Sequence, residues 1–219
     1  MRNKFLFFAL AFPIFFCTWA GAAIHTVVGD LRIMQFPATS QYPARTIRVW
    51  LPSDYEKTHR SYPVLYMMDG QNCFDRDTSA FGKEWQIDET LTQLIDAHQL
   101  PPLIVVGIDN SPSRIDEYTF FADPKYGGGH GQAYADVVIH RLQPFVEKSF
   151  RVETDPQHVF IGGSSLGGLA ALEITRRNPH TFGGVIAMSP SLWWDKRATI
   201  AEINRDPGGL AQARIWLDV

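Results

Sequence analysis

Short apolar stretches alternate with amphipathic ones along this chain, and the alternation predicts strands that are each followed by a helix. Two early segments, 31–36 and 46–51, are predicted as an antiparallel pair of strands, and the second alternates apolar and polar residues cleanly. A last strand is predicted over 213–219. Between them lie almost continuously apolar runs, typical of strands buried on both faces of a parallel sheet: 62–69, 102–108 and 182–188.

Apolar residues at helical spacing predict helices over 85–98, 134–150 and 198–204. Pro144 lies inside the second of these and should kink it. The segment 109–130 is predicted as a long loop without regular structure, rich in Pro, Gly and charge, and loops of this length are often functional. The alternation as a whole predicts an α/β fold, with a mostly parallel sheet covered by helices on both faces.

Residues 1–23 are typical of a secretory signal peptide. Arg2 and Lys4 give a positive start, an apolar run follows over 5–16, and 20–22 offer a small-residue cleavage site. A membrane anchor is the alternative, but the run is short for a span, and no later stretch is apolar enough to cross a bilayer. We therefore expect an exported bacterial protein, periplasmic or secreted, whose mature part is a single domain, 24–219.

The formal net charge of −3 becomes −5 without the signal segment, because that segment carries Arg2 and Lys4 and no acidic residue. This balance does not suggest a basic face for nucleic acid. The spacing of His and Cys predicts no metal site, and no dinucleotide-binding pattern occurs, so we expect no cofactor. Cys73 would be the one cysteine of the mature chain, and its apolar neighbours favour a buried structural role over a reactive thiol.

A glycine-rich stretch with the pattern G-x-S-x-G, 163–167, follows a short apolar strand and precedes a helix. The pattern alone also suits an ordinary Gly/Ser loop, but its surroundings favour a nucleophile elbow with Ser165 as the nucleophile. A serine on so sharp a turn needs small residues two positions before and after it, since strand and helix backbones pass closely there. The helix that follows points its N-terminus at the place where negative charge develops on an acyl oxygen.

With these segments in place, the chain resembles the esterase family of the α/β-hydrolase superfamily. That family includes enterochelin-type siderophore esterases, feruloyl and acetyl-xylan esterases, S-formylglutathione hydrolases and mycolyltransferases. The similar segments occur in the family's order and cover 46–219; Phe120 departs from the pattern, where a proline is expected, and affects the shape of its loop. The segments are Tyr66–Asn72, Glu84–Asp88, Ile104–Asp109, Arg114 with Glu117–Tyr118, Gly162–Gly168 and Met188–Trp194.

The resemblance implies an α/β-hydrolase fold and a serine esterase that forms an acyl-enzyme on Ser165. In this fold the residue after the nucleophile gives one backbone N–H to the oxyanion hole, which is Leu166 here. By similarity to the family, Gln71 gives the second N–H, although 69–72 also suits an ordinary turn. Trp193 and Trp194 follow a strand at the rim that carries Ser165, so they are candidates for substrate binding, while one of them could equally cap the core.

Arg114 and Glu117 lie in the long loop at the same rim. We expect the two side chains to pair with each other and to hold this loop in place. Arg114 is also a candidate substrate-binding residue.

The general base is missing from the pattern. The superfamily order is Ser, then Asp or Glu, then His, and the one histidine after Ser165 is His180, about 20 Å away along the intervening helix. His158 begins the elbow strand, about 20 Å from its tip. His130 lies on a loop at the correct rim, but in the wrong order. Two further histidines fall late in or within helices that run away from this rim: His98 and His140.

The acid is missing as well. Asp218 is the nearest candidate, but it lies in the last predicted strand, a few residues before the position that the family implies, and we expect a structural role for it. We therefore expect this chain to be an N-terminal portion of an α/β-hydrolase domain, incomplete at its C-terminus. Such a portion should turn over esters very poorly and should expose a sticky sheet edge at 214–219.

Three functions stay open at this point. The first is an esterase acting outside the cytoplasm on a small-molecule ester, of the siderophore, feruloyl, acetyl or simple acyl type. The second is a non-catalytic binding relative that has lost its triad. The third is an acyltransferase, which would share the acyl-enzyme but pass the acyl group to a sugar hydroxyl.

Overall fold

The computed structural model describes residues 26–38 and 42–218, so the predicted signal peptide and cleavage site lie outside the described residues. Within these residues, seven strands form one sheet in the order β1-β2-β4-β3-β5-β6-β7. The pairs β1–β2 and β2–β4 are antiparallel and the other pairs are parallel, which confirms the predicted early hairpin and the mostly parallel sheet. The strands are β1 (Asp30–Phe36), β2 (Arg45–Leu51), β3 (Val64–Met68), β4 (Ile104–Ile108), β5 (Val159–Ser164), β6 (Gly184–Met188) and β7 (Arg214–Leu217).

In the same part of the chain, six α-helices connect these strands. The prediction that 109–130 lacks regular structure is wrong, because the five-residue α2 forms inside it. In place of a simple kink at Pro144, a π-turn, Val138–Leu142, joins α3 and α4 just before the proline, where a proline ring crowds the carbonyl group four residues earlier. The helices are α1 (Ile87–Asp96), α2 (Arg114–Tyr118), α3 (Gly131–Val137), α4 (Gln143–Ser149), α5 (Leu166–Arg177) and α6 (Trp194–Arg205).

Helices cover both faces of the sheet, as predicted. Along β3 the side chains alternate: Tyr66 and Met68 enter a large core under α3, α4 and α5, while Leu65 and Met67 enter a smaller core under α1. Because all of β3 and β4 is buried, their nearly continuous apolar sequence follows from contact on both faces.

The last strand in the order, β7, is an edge strand of the sheet. It pairs with β6, and within the described residues nothing pairs with its other edge. Its three apolar side chains, Ile215–Leu217, are exposed. This geometry agrees with the expected open edge, although self-association through it stays a prediction. None of the helices in the described part of the chain has the length and hydropathy to cross a bilayer.

Candidate active site

Ser165 stands between β5 and α5 in a strained backbone conformation. Its φ of 58° and ψ of −119° lie in a region that side chains rarely adopt, and such a residue costs about 1–3 kcal/mol. Backbone hydrogen bonds fix it there: its N–H donates to the carbonyl of Met188 over 2.9 Å, and its carbonyl accepts from the N–H of Ser191 over 3.0 Å. The side chain is exposed at the carboxyl end of the strand, so the turn presents a hydroxyl group to solvent.

Glycines beside Ser165 allow the strand, the turn and the helix to touch. A Cβ atom on Gly163 would lie 2.6 Å from the carbonyl carbon of Gly167. One on Gly167 would lie 3.0 Å from the Cβ of Met68 and 3.1 Å from Oδ2 of Asp69. The elbow therefore packs directly against the end of β3, which places it beside the loop that begins at Asp69.

That loop turns sharply at Asp69, whose φ of 58° is left-handed, and continues as a short 3₁₀ turn, Gly70–Asn72. A Cβ on Gly70 would lie 2.3 Å from the carbonyl carbon of Gly107 in β4, so only glycine fits at this position. In the described part of the chain, the backbone N–H of Gln71 donates to no acceptor. The N–H of Leu166, at the start of α5, is likewise free there.

Asp69 anchors this loop through its carboxylate, which is almost completely buried. Arg114 donates to it twice, from Nε to Oδ1 and from Nη2 to Oδ2, each over 2.7 Å. The side chain of Asn110 donates to Oδ1 over 2.7 Å, and the Tyr118 hydroxyl accepts from the Asp69 N–H over 3.1 Å. Burial, followed by the neighbouring Tyr134, raises the pKa of Tyr118 well above its usual value, so its phenol stays protonated.

The expected pairing of Arg114 with Glu117 is wrong. Arg114 pairs with Asp69, and Glu117 pairs with Arg45 over 2.7 Å, with both side chains of this second pair 3% exposed. The two residues lie three apart on α2 but contact different parts of the fold. With its side chain 27% exposed and both ends of its guanidinium fork on Asp69, Arg114 acts first as a support of the loop.

Gln71 is fixed through its side chain as well as through the turn. Its Oε1 accepts from the backbone N–H of Asn110 over 3.1 Å, and its carbonyl accepts from the hydroxyl of Thr78 over 2.8 Å. Three separate segments therefore hold the loop that carries this N–H: the end of β4, α2, and the turn at Thr78.

The hydroxyl of Ser165 lies 3.0 Å from the hydroxyl of Ser191, and either oxygen can be the donor. Within the described residues no histidine contacts it. His130 is largely exposed and faces Asp116 at 3.3 Å, and His158 lies directly before β5 beside Glu153.

His180 and His98 lie away from the elbow as expected, since His180 follows the far end of α5 and His98 follows α1. His140 lies in the π-turn between α3 and α4. Asp218 accepts a hydrogen bond from the backbone N–H of Ser189, which has a positive φ of 42°. This contact ties the end of β7 to the segment after β6 and agrees with the structural role predicted for Asp218.

The two tryptophans after Ser191 differ in environment. Trp194 is buried, and its indole N–H donates to the carbonyl of Phe121 over 2.7 Å, so it is the one that caps the core. Trp193 is 58% exposed and meets the ring of Tyr126 edge-on, with 6.3 Å between ring centroids. Of the two, only Trp193 offers an open aromatic face to a ligand.

Cys73 is fully buried behind this loop, as predicted, and burial raises the pKa of its thiol well above the usual value. Sequence reasoning assigned no role to Ser191, Asp69 or Asn110. Ser191 lies within a segment that resembles the family, but nothing in the spacing of that segment indicated a contact with Ser165.

Comparisons with known proteins bear on the family and the fold of this chain. Residues 41–219 match the family model described as "Putative esterase". The chain is 30% identical over 158 residues to the iron(III) salmochelin esterase of Escherichia coli, covering 71% of this chain and 34% of the relative. It is 26% identical over 181 residues to the uncharacterized protein YbbA of Bacillus subtilis, covering 80% of this chain and 67% of the relative. The chain thus spans between about a third and two thirds of the length of these curated relatives.

Solved structures show the same fold. An IroE-like serine hydrolase from Shewanella oneidensis is 24% identical, with a TM-score of 0.66 over 80% of this chain and 55% of the other. The enterobactin esterase of Shigella flexneri is 21% identical, with a TM-score of 0.68 over 85% of this chain and 45% of the other. These likenesses confirm the expected α/β-hydrolase fold.

Proposed function

Because the chain belongs to the esterase family and has the α/β-hydrolase fold, we propose that it hydrolyses carboxylic esters through an acyl-enzyme on Ser165. One observation carries the proposal: Ser165 is exposed on a strained elbow that packs against the loop of Gln71, and the backbone N–H groups of Leu166 and Gln71 are both free within the described residues. A nucleophile and two oxyanion donors are the parts that acyl transfer needs at this point.

The reaction would proceed in two steps. Oγ of Ser165 attacks the carbonyl carbon of the ester while a base removes its proton, and the N–H groups of Leu166 and Gln71 bind the oxyanion that forms. The tetrahedral intermediate collapses, the alcohol leaves with that proton, and the acyl group stays on Ser165. Water then repeats the attack with the same base, and the acid product leaves.

The base is the part that the described residues do not bring to Ser165. Ser191 is its hydrogen-bond partner, and a neutral hydroxyl is too weak a base for this step. The proposal therefore places the histidine and the acid outside residues 26–38 and 42–218, in agreement with the family pattern. On this account residues 24–219 alone turn over activated esters very poorly, and a preparation of this segment that matched the rate of the complete gene product would contradict it.

We propose an aromatic acyl ester as the substrate class. The related esterases are named for salmochelin and enterobactin, and another relative is an endo-1,4-beta-xylanase/feruloyl esterase of Xylanibacter ruminicola. Trp193 lies two residues after Ser191 and presents its ring beside Tyr126, which suits stacking against an aromatic acyl group. Export of the protein is part of this proposal and is supported by the sequence of the segment 1–23, which is typical of a signal peptide.

Hydrolysis assays on the complete gene product test the proposal. Aryl esters of benzoic and acetic acid serve as substrates, Ser165→Ala is the test variant, and Ser164→Ala is the matched control, because Ser164 is the neighbouring serine in β5. We expect Ser165→Ala to lose all turnover above background and Ser164→Ala to keep most of it. Equal activity in both variants would overturn the role of Ser165.

A binding protein of the same fold is the second candidate, and the absence of a histidine contact to Ser165 among the described residues favours it. It predicts that the complete gene product binds a siderophore or feruloyl ester unchanged, with equal affinity in the wild type and Ser165→Ala. Release of the acid product by the wild type alone would exclude this function. An acyltransferase would also form the acyl-enzyme, but it would yield a sugar ester when a sugar is supplied.

A further inference from the structure

Three carboxylates converge at the start of α1, away from the elbow. One carboxylate oxygen from each of Glu84, Asp88 and Glu89 lies within 4.8 Å of those of the other two. Asp88 is completely buried and the two glutamates are partly buried. Glu84 and Asp88 are four residues apart, and helix α1 begins between them at Ile87, which brings both side chains to the same place.

Each of the three carboxylates also has a buried oxygen that lacks a hydrogen-bond partner. Oδ1 of Asp88, Oε2 of Glu84 and Oε2 of Glu89 are buried atoms with no hydrogen-bond donor in the described part of the chain. No Lys, Arg or His side chain of that part forms an ion pair with any of the three residues. The second oxygen of Asp88 accepts from the backbone N–H of Val28 over 2.6 Å. A fully buried carboxylate thus carries an unpaired oxygen within a cluster of three acidic side chains, which is costly unless a cation neutralises it.

Electrostatics at this point favours a cation. The N-terminus of α1 contributes only about half a positive charge, which does not neutralise three carboxylates. A bound divalent cation would satisfy all three oxygens at once.

We propose that Glu84, Asp88 and Glu89 form a Ca²⁺-binding site. Ca²⁺ takes oxygen ligands at about 2.3–2.6 Å, so oxygens on opposite sides of the ion stand about 4.6–5.2 Å apart, which accommodates the separations here. Mg²⁺ holds oxygens at about 2.0–2.1 Å, which limits opposite ligands to about 4.2 Å, and it demands an octahedron. Three carboxylates supply part of the six to eight ligands of Ca²⁺, and water supplies the remainder.

The site would join three segments of the chain. Asp88 already holds Val28, whose carbonyl accepts from the indole N–H of Trp50 over 2.8 Å. The N–H of Trp85 donates to the carbonyl of Asn72 over 2.8 Å, directly after the turn of Gln71. A bound ion would therefore fasten the start of α1 to β2 on one side and to the loop 69–73 on the other, and it would stabilise the folded state.

Thermal unfolding of the EDTA-treated protein tests the site. We expect the Tm to rise by about 5 °C or more when CaCl₂ reaches roughly 100 times its Kd, and to rise much less with MgCl₂. Glu84→Gln, Asp88→Asn and Glu89→Gln should each remove the response. Each variant also removes one of three repelling charges, so its Tm in EDTA should equal or exceed that of the wild type. Replacing a carboxylate that only supports the fold would instead lower the Tm.

Asp96→Asn is the matched control, since Asp96 is an exposed acid in the last turn of the same helix, and it should keep the full CaCl₂ response. Terbium gives an independent readout: Tb³⁺ at the site should luminesce on excitation of the neighbouring Trp85, and CaCl₂ should displace it. A wild-type Tm that millimolar CaCl₂ leaves unchanged, or an equal response in Asp88→Asn, would overturn the proposal.

Discussion

The ion pair between Arg114 and Asp69 should be a main support of the loop that carries Gln71, and replacing Arg114 by leucine tests this. The substitution removes two hydrogen bonds of 2.7 Å each. Oδ1 of Asp69 would keep the side chain of Asn110, but Oδ2 would have no donor left among the described residues. A carboxylate that is 2% exposed would then hold a charge that nothing close by neutralises.

The expected loss of unfolding free energy follows from how deeply the two side chains of the ion pair are buried. Removing one partner of a fully buried ion pair costs about 3–5 kcal/mol. Arg114 is 27% exposed, and solvent screens part of the interaction, so we expect a loss of about 2–3 kcal/mol. For a chain of this size that loss lowers the Tm by about 4–12 °C.

Urea unfolding at pH 7, followed by far-ultraviolet circular dichroism, measures the loss of free energy. Arg60→Leu is the control, because Arg60 pairs with Asp54 at the surface and is half exposed, so its removal should cost less free energy of unfolding than the removal of Arg114. A decrease for Arg114→Leu no larger than that for Arg60→Leu would refute the reasoning.

A double variant separates charge from packing. In Asp69→Asn the new amide oxygen would still accept from Asn110 and the side chain would carry no charge, and asparagine tolerates the left-handed conformation that Asp69 adopts. Arg114→Leu with Asp69→Asn should therefore lose at least about 1 kcal/mol less than the sum of the two single losses. Additive losses would mean that the two side chains contribute independently.

Three further predictions concern stability and reactivity. Gly70→Ala should leave little folded protein in a solubility assay, because its Cβ would lie 2.3 Å from the carbonyl carbon of Gly107, and native-like yield would contradict this. Arg45→Met should lower the free energy of unfolding in urea by about 3–5 kcal/mol, and adding Glu117→Leu should recover much of this loss. No recovery in the double variant would mean that the ion pair stabilises the fold more than apolar contact does. Burial raises the pKa of the Cys73 thiol, which leaves less thiolate at any pH. At about pH 8, Cys73 should therefore react with a thiol reagent in denaturant and hardly at all in the native state. Rapid labelling of the native protein would show that the thiol is accessible.

Much of the sheet could be predicted because its sequence signal is local. The apolar runs that became β3, β4 and β6 are buried on both faces, and the glycines around Ser165 lie where strand and helix touch. The elbow is specified by residues that are neighbours in sequence, and so its position could be read without knowledge of the tertiary structure.

Contacts between distant segments could not be read in this way. Arg114 and Glu117 are three residues apart, which suggests that they pair with each other. The fold instead brings Asp69, 45 residues away, to Arg114. It brings Arg45, 72 residues away, to Glu117. The acids at the start of α1 illustrate the same limit. Their sequence suits an ordinary exposed helix start, and only the packing of α1 and the segment at Val28 buries Asp88.

The central claim is that Ser165 is an activated nucleophile, and labelling with a fluorophosphonate tests it most directly. The complete gene product is treated with the probe and digested, and the peptide that contains the elbow is sequenced by mass spectrometry. We expect one adduct, on Ser165, present in Ser164→Ala and absent from Ser165→Ala. No adduct on the folded protein, or an adduct on another serine that persists in Ser165→Ala, would contradict the account.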